Sequence, residues 1–198
     1  RHSSRQGGGF FWTYGQQDLY TIKIHDFFFH EDQLLEFHWP ESLSVTWYES
    51  ISGEEFSPCR RLIPGCVKSF IGGREPYRAL IHRQIPIVSI GVEITPAYYR
   101  DYLRRQFPEE YQSLLESFQT LDQTEHFPEM VQLLKQVRDY RGEGLPARLF
   151  YDGKVAEAVA LVVDRHLKCG SRRSVSAEDA VRLADVAAFI TAHCADEL

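Results

Sequence analysis

The chain has 198 residues, of which 43% are hydrophobic, 25% are charged and 13% are aromatic. This composition is typical of a globular protein with a sizeable core, and it excludes a disordered tail, a collagen-like fibre and a small disulfide scaffold. The formal net charge of −6 also argues against independent binding of DNA or RNA, because domains that neutralise phosphates on their own are usually basic.

The first part of the chain, residues 1–95, carries the signals of short β-strands. Runs of β-branched and aromatic residues are separated by Pro and Gly breaks, at a spacing of about ten residues. The alternation within one run predicts that Tyr20, Ile22 and Ile24 share a face. Six or seven strands at this spacing favour a small barrel or sandwich. The runs cover residues 10–14, 19–29, 43–50, 67–71, 77–81 and 87–94.

Beyond Pro96 the spacing of apolar residues becomes helical. Thr95 and Pro96 are typical of a helix N-cap and a first helical position, and Ser176 is typical of the cap of a last helix. Strands first and helices second predict an α+β fold. The predicted parts are residues 1–95 for the strands, 96–170 for a helical part, and 171–198 for a linker and a further helix.

The four cysteines, at positions 59, 66, 169 and 194, form no CxxC pair and fit no zinc spacing. No secretion signal follows Arg1, and no apolar stretch reaches the ~18 residues of a transmembrane helix. We therefore predict reduced thiols and a cytoplasmic location. The chain starts without Met and ends at Leu198 inside a helical pattern, so we expect it to be a piece of a longer protein.

The sequence contains no recognisable motif of a catalytic site. His25, His30 and His38 lie near several carboxylates, but the first two are five residues apart and would face opposite sides of a strand. There is no HxH pair, no HExxH motif, no nucleophile elbow and no phosphate-binding loop. We therefore predict no catalytic residue, metal or cofactor. A metal-dependent enzyme that uses His25, His30, His38 or His82 stays open as the alternative.

Small-molecule binding is the stronger expectation, because small barrels can hold one ligand in an aromatic-lined interior. The strand part is rich in Trp and Tyr, with a few polar side chains to orient a ligand. The alternative is that these aromatic side chains simply fill the core. The candidate ligand-binding residues are Trp12, Tyr14, His25, Trp47, Arg78 and His82.

Three stretches resemble AraC-type bacterial transcriptional regulators. Residues 62–67, followed by 76–78, are similar to the barrel hairpins of the sensor domains. Residues 151–161 resemble the helix in which a Lys and a Glu flank the packing and dimerisation surface. Residues 176–192 look like the helix that opens the DNA-binding half of this family.

This resemblance implies a cupin-like barrel that binds an unidentified small effector, and a helical part that forms a homodimer. It also implies contact with DNA only through a helix-turn-helix domain, which we expect to follow Leu198. The expected dimer face is the run 154–167, with an exposed apolar stripe of Val155, Val159 and Val162. Packing of these valines within the chain itself is the alternative. A metal-dependent cupin enzyme remains the alternative function.

Overall fold

The computed structural model describes residues 2, 3, 6–16, 18–57, 59–74, 76–108, 111–121, 126–171 and 186. In these residues all strands precede the helices, which confirms the predicted α+β order. The helix expected to begin at Ser176 lies outside the described residues, Val186 excepted. The strands are β1 (His2–Ser3), β2 (Gly7–Gln16), β3 (Tyr20–Phe29), β4 (Gln33–Phe37), β5 (Leu43–Ser50), β6 (Gly53–Phe56), β7 (Cys59–Leu62), β8 (Val67–Ile71), β9 (Tyr77–Ile81) and β10 (Ile87–Ile94). The helices are a π-helix (Ala97–Leu103), α1 (Arg104–Gln106), α2 (Tyr111–Thr120), α3 (Pro128–Asp139) and α4 (Gly144–Ser171).

The strands form two antiparallel sheets. Sheet A has the order β1-β2-β3-β10-β5-β8, and sheet B has the order β4-β9-β6-β7. Among the described strands no pairing joins the sheets, so the expectation of a closed barrel is wrong. Each sheet instead ends in two edge strands, which are β1 and β8 in sheet A and β4 and β7 in sheet B.

Sheet A is covered on both faces, because successive side chains of a strand point to opposite sides. Ile90, Val92 and Ile94 of β10 belong to a core shared with the helices. Ile87 of the same strand packs in a second core with residues of sheet B, such as Ile81. The predicted face of Tyr20, Ile22 and Ile24 is confirmed, since all three pack in the core beneath the helices.

The strands of the short hairpin β6–β7 were not predicted, because charged residues dominate them. Glu55 nevertheless is only 2% exposed. Its Oε2 accepts a hydrogen bond from Arg60 Nε at 2.6 Å, and its Oε1 accepts one from Lys68 Nζ. Because Lys68 belongs to β8 of sheet A, this buried ion pair connects the two sheets. A buried carboxylate without such partners would be strongly destabilising.

The helical part begins differently from the expectation. No side chain caps the π-helix, and its N-cap residue is Pro96 rather than Thr95. The Thr95 hydroxyl instead donates to the carbonyl oxygen of Leu19 at 3.1 Å. The predicted capping role of Thr95 is therefore wrong, and this residue ties the start of the helices to the residue before β3.

The proposed dimer stripe on α4 is not exposed. Val155, Val159 and Val162 are 0%, 8% and 1% exposed, and they pack in the core with residues of α3 such as Leu134. The expectation of an exposed stripe is wrong for these three residues. The helix-facing side of sheet A is apolar and needs an equally apolar helix face to cover it.

Contacts between residues divide the chain into residues 1–166 and residues 167–198. Both cores lie in the first unit. In the described part of the chain, no helix combines the length and the apolar character that crossing a membrane requires. Cys59 is exposed and Cys66 is buried, and both are free thiols.

Truncation of one side chain on the buried face of α4 and one on its exposed face should affect stability differently. We expect Val155→Ala to lower the free energy of unfolding by about 2–3 kcal/mol, because it leaves a cavity in the core. Leu149→Ala, at a position that is 63% exposed, should lower it by less than about 1 kcal/mol. Urea denaturation of both variants measures this difference. Equal effects would contradict the inward orientation of Val155.

Candidate functional site

A cleft of about 850 Å³ opens over the helix-facing side of sheet A. Strands β2, β3, β5 and β10 line it on one side. The end of α3, the segment between the helices and the start of α4 line it on the other. The volume falls within the range of ordinary ligand pockets, ~300–1,000 Å³.

The floor of the cleft consists of two rows of side chains that run across sheet A. The strand register places Trp12 beside Ile24, Ile24 beside Ile90, and Ile90 beside Trp47. A second row lies next to the first on the same face of the sheet, two residues away on each strand. It contains Phe10, Asp26 and Val88. All seven of these residues line the cleft.

An aromatic wall stands over the first row. The ring of Tyr151 in α4 lies 4.5 Å from that of Tyr14 and 6.2 Å from that of Trp12, measured between ring centroids. Tyr140, just after α3, packs edge-on against Tyr151 at 5.6 Å. Burial, followed by the neighbouring Tyr14, raises the pKa of Tyr151, so that its hydroxyl stays neutral and can donate a hydrogen bond.

A hydrogen bond below the wall fastens α4 to the sheet. The Tyr20 hydroxyl donates to Asp152 Oδ1 at 2.7 Å. Burial and then this bond raise the pKa of Tyr20 far above its usual value. Tyr151 is the chain neighbour of Asp152, so this bond also holds the aromatic wall in position.

Two arginines line the rim, and both are engaged. Arg138 Nη1 donates to Glu49 Oε2 at 2.6 Å, and the guanidinium carbon lies 5.8 Å from the centre of the Trp47 ring. Arg141 Nη1 donates to the carbonyl oxygens of Arg138 at 2.6 Å and Tyr140 at 2.8 Å, which satisfies the end of α3. These bonds therefore hold both guanidinium groups in place at the rim of the cleft.

Four of the six residues expected to bind ligand border this cleft, and two do not. Arg78 lies on β9 and pairs with Glu36, with 3.3 Å between Nε and Oε2. His82 follows β9, and its Nδ1 lies 2.8 Å from Ser52 Oγ. Both belong to the side of sheet B, so their expected place in the same site as Trp12 is wrong. The four at the cleft are Trp12, Tyr14, His25 and Trp47.

His25 borders the cleft, but its ring belongs to the other face of the sheet. The imidazole stacks on Phe11 at 4.5 Å between centroids, and its Nδ1 lies 3.0 Å from Ser89 Oγ. Its Nε2 is buried without a hydrogen-bond partner. Burial, assisted by the charge of Lys23, lowers the pKa of His25 to about 4. The neutral imidazole is thus a structural feature of the sheet.

The helical part contributes side chains to the cleft that were not predicted. Tyr140, Arg141 and Tyr151 all line the cleft, while ligand contacts were expected only from the strands. A signal was present in the sequence, because Tyr140 and Arg141 directly precede Gly142 at the break between two helices. Loop residues held by a rigid scaffold are frequent binding residues.

The histidines of the alternative metal site do not come together. His30 and His38 are exposed, whereas His25 and His82 have the separate partners described above. In the ranges that the structure describes, no group of three or more His, Cys, Asp or Glu residues could hold a metal ion.

No protein-family model matches the sequence, and no curated protein matches it significantly. Among solved structures, the chain is similar to a crystal structure of vicilin from Solanum lycopersicum (tomato), with 15% sequence identity and a TM-score of 0.34. The match covers 62% of this chain and 41% of the vicilin chain.

The low pKa of His25 should make the protein less stable in acid. The folded state holds the imidazole neutral down to about pH 4, whereas the unfolded chain binds the proton near pH 6.5. The contribution of the neutral imidazole to stability is therefore present above pH 6.5 and is lost as the pH falls toward 4, with a loss of about 2–3 kcal/mol by about pH 4.5. Urea unfolding at several pH values should show a correspondingly weaker pH dependence for His25→Leu. The control is His30→Gln, which removes an exposed imidazole. If both variants behaved like the parent, burial of a neutral His25 would be contradicted.

Proposed function

We propose that the chain is a small-molecule sensor and dimerisation module with a cupin-like β part, of the kind found in AraC-type transcription regulators. The observation that carries the binding role is the cleft of about 850 Å³ over sheet A. The resemblance of the three sequence stretches supports the regulatory part of the proposal. The proposal includes no catalytic step, metal or cofactor, and it places the protein in the bacterial cytoplasm.

The cleft is suited to a ligand with an apolar or aromatic body. The side chains of Trp12, Ile24 and Tyr151 offer apolar surface on two sides of the same space. Each Å² of apolar surface that a ligand removes from water contributes about 25 cal/mol to binding. The rings of the wall already contact one another, so little side-chain ordering is needed when a ligand binds.

The position of α4 suggests how binding could be transmitted. Its first residues, Gly144 and Ala147, line the cleft, and Tyr151 one turn later forms the wall. A ligand that favours one placement of this helix would shift the population of conformers toward it. In the proposed regulator, this shift would change the position of an attached helix-turn-helix DNA-binding domain.

We place the proposed homodimer contact on the outward face of α4 rather than on its buried valines. Leu145 and Leu149 are 66% and 63% exposed and lie one turn apart. Ala156 and Ala160 continue the same exposed side. Lys154 is not part of this face, because its Nζ donates to Gln136 of α3 at 2.6 Å and thereby joins the two helices.

The binding role can be tested with Nile red, a neutral dye whose fluorescence rises in apolar sites. We expect Trp12→Ala to weaken dye binding by about tenfold or more, because it removes much of one side of the cleft. Trp39→Ala is the matched control, since Trp39 is half-exposed and does not line the cleft. Fluorescence titration of folded variants, with thermal unfolding as a check, measures both effects. Equal affinities for the two variants would argue against binding in the cleft.

The dimer role can be tested by sedimentation velocity. We expect the chain to dimerise, and Leu149→Glu to shift it to monomer, because a buried unpaired carboxylate opposes association. Leu34→Glu places the same charge at another leucine, which is 58% exposed on β4, and should leave the dimer intact. A parent chain that stays monomeric at about 100 μM, well above the Kd of a stable dimer, would contradict this proposal.

A further inference from the structure

We infer that the cleft selects an organic cation: a protonated amine or a quaternary ammonium group carried on an apolar or aromatic body. This inference rests on the proposed function, because it names the chemical class of the small molecule that the cleft binds. Three observations support it. A carboxylate lies on the cleft floor, aromatic side chains lie near it, and the arginines of the cleft already donate hydrogen bonds to other groups of the protein.

Asp26 occupies a position where the sheet pattern calls for an apolar residue. The same face of β3 carries Tyr20, Ile22 and Ile24 before it. On the neighbouring strands, Phe10 and Val88 are paired directly with it. The Asp26 carboxylate therefore lies in the second row of the floor with apolar side chains on three sides.

The carboxylate has no protein partner that would account for its presence. Among the described residues, no hydrogen bond or ion pair involves the Asp26 side chain. The same holds for Glu143 at the rim. Because no protein cation in the described part of the chain pairs with Asp26, its negative charge is left to attract a cation that enters the cleft.

Aromatic rings near Asp26 add a second attraction for a cation. In an antiparallel pair, a directly opposed residue lies ~5 Å away and a diagonal one ~7 Å away. Phe10 is directly opposed to Asp26, and Trp12 is diagonal to it. Aromatic faces attract ammonium groups, and they do so best when the cation also leaves water. One ammonium group can thus reach the carboxylate and both rings.

An anionic ligand would find fewer partners in this cleft. Arg138 is bonded to Glu49, and Arg141 donates to two main-chain carbonyl oxygens. The lining contains three carboxylates against these two guanidinium groups. Glu49 is paired with Arg138. The other two carboxylates, at positions 26 and 143, would repel an anion and attract a cation.

Three small probes of similar size and different charge test the inference. They are benzyltrimethylammonium, benzyl alcohol and phenylacetate, each titrated into the whole chain while tryptophan fluorescence and NMR shifts are followed. We expect the cation to bind at least about tenfold more tightly than the other two probes. Its affinity should fall as NaCl is raised, because salt screens the attraction to a partly exposed carboxylate.

Asp26→Asn isolates the carboxylate with almost no change in shape. We expect it to weaken binding of the cation by about tenfold and to leave benzyl alcohol unchanged. Asp101→Asn is the control, because Asp101 is an exposed carboxylate of the π-helix that does not line the cleft. This control should bind the cation as the parent does.

The outcomes distinguish this inference from the proposed function. Equal or tighter binding of phenylacetate or benzyl alcohol, or no effect of Asp26→Asn, overturns the cation preference. So does the absence of binding by all three probes. In each case the binding role of the cleft stands if Nile red binding still depends on Trp12. If Nile red binding does not depend on Trp12 either, both proposals fail together.

Discussion

The whole architecture depends on the burial of both faces of sheet A. Strands β3, β10 and β5 direct alternate side chains to the helices and to sheet B. Both faces are therefore apolar, and exposure of either face to water would cost the free energy gained by its burial. The helices are held to one face by the packing of α3 and α4, and by the bonds of Tyr20 and Thr95. Where the helices end, the same apolar face stays partly open, and this opening is the cleft.

A buried ion pair holds the other face together. Glu55 in sheet B accepts from Lys68 in sheet A and from Arg60 in its own hairpin. Burial of these charges requires all partners to be present, because removal of one leaves the others uncompensated. The pair therefore favours one relative position of the two sheets over others with a similar apolar area. Nearby, burial and then the Glu55 charge raise the pKa of Tyr48, which keeps its hydroxyl neutral.

The type of secondary structure was predictable from the sequence where the periodicity of apolar residues alone determines it. The alternation in β3 and the helical spacing of apolar residues beyond Pro96 follow from burial of one face, and both were predicted. The hairpin β6–β7 was missed because Glu55 is buried by ion pairing, which a hydrophobic pattern cannot show. The site was predicted in part for a similar reason. Strand residues such as Trp12 were recognised as aromatic candidates, but the partners Tyr140 and Tyr151 are brought to them only by tertiary packing.

The second row of the cleft floor has a consequence for how such a protein can diverge. Phe10 is 44% exposed and Asp26 is exposed, so neither is needed to fill a core. Substitutions at such positions usually change stability by less than about 0.5 kcal/mol. The first row, with the buried Ile90 and Trp47, is constrained by folding. Positions that are free to vary and positions that are fixed by folding therefore lie in adjacent rows of the same strands, so substitutions can change the surface of the cleft while the scaffold is conserved.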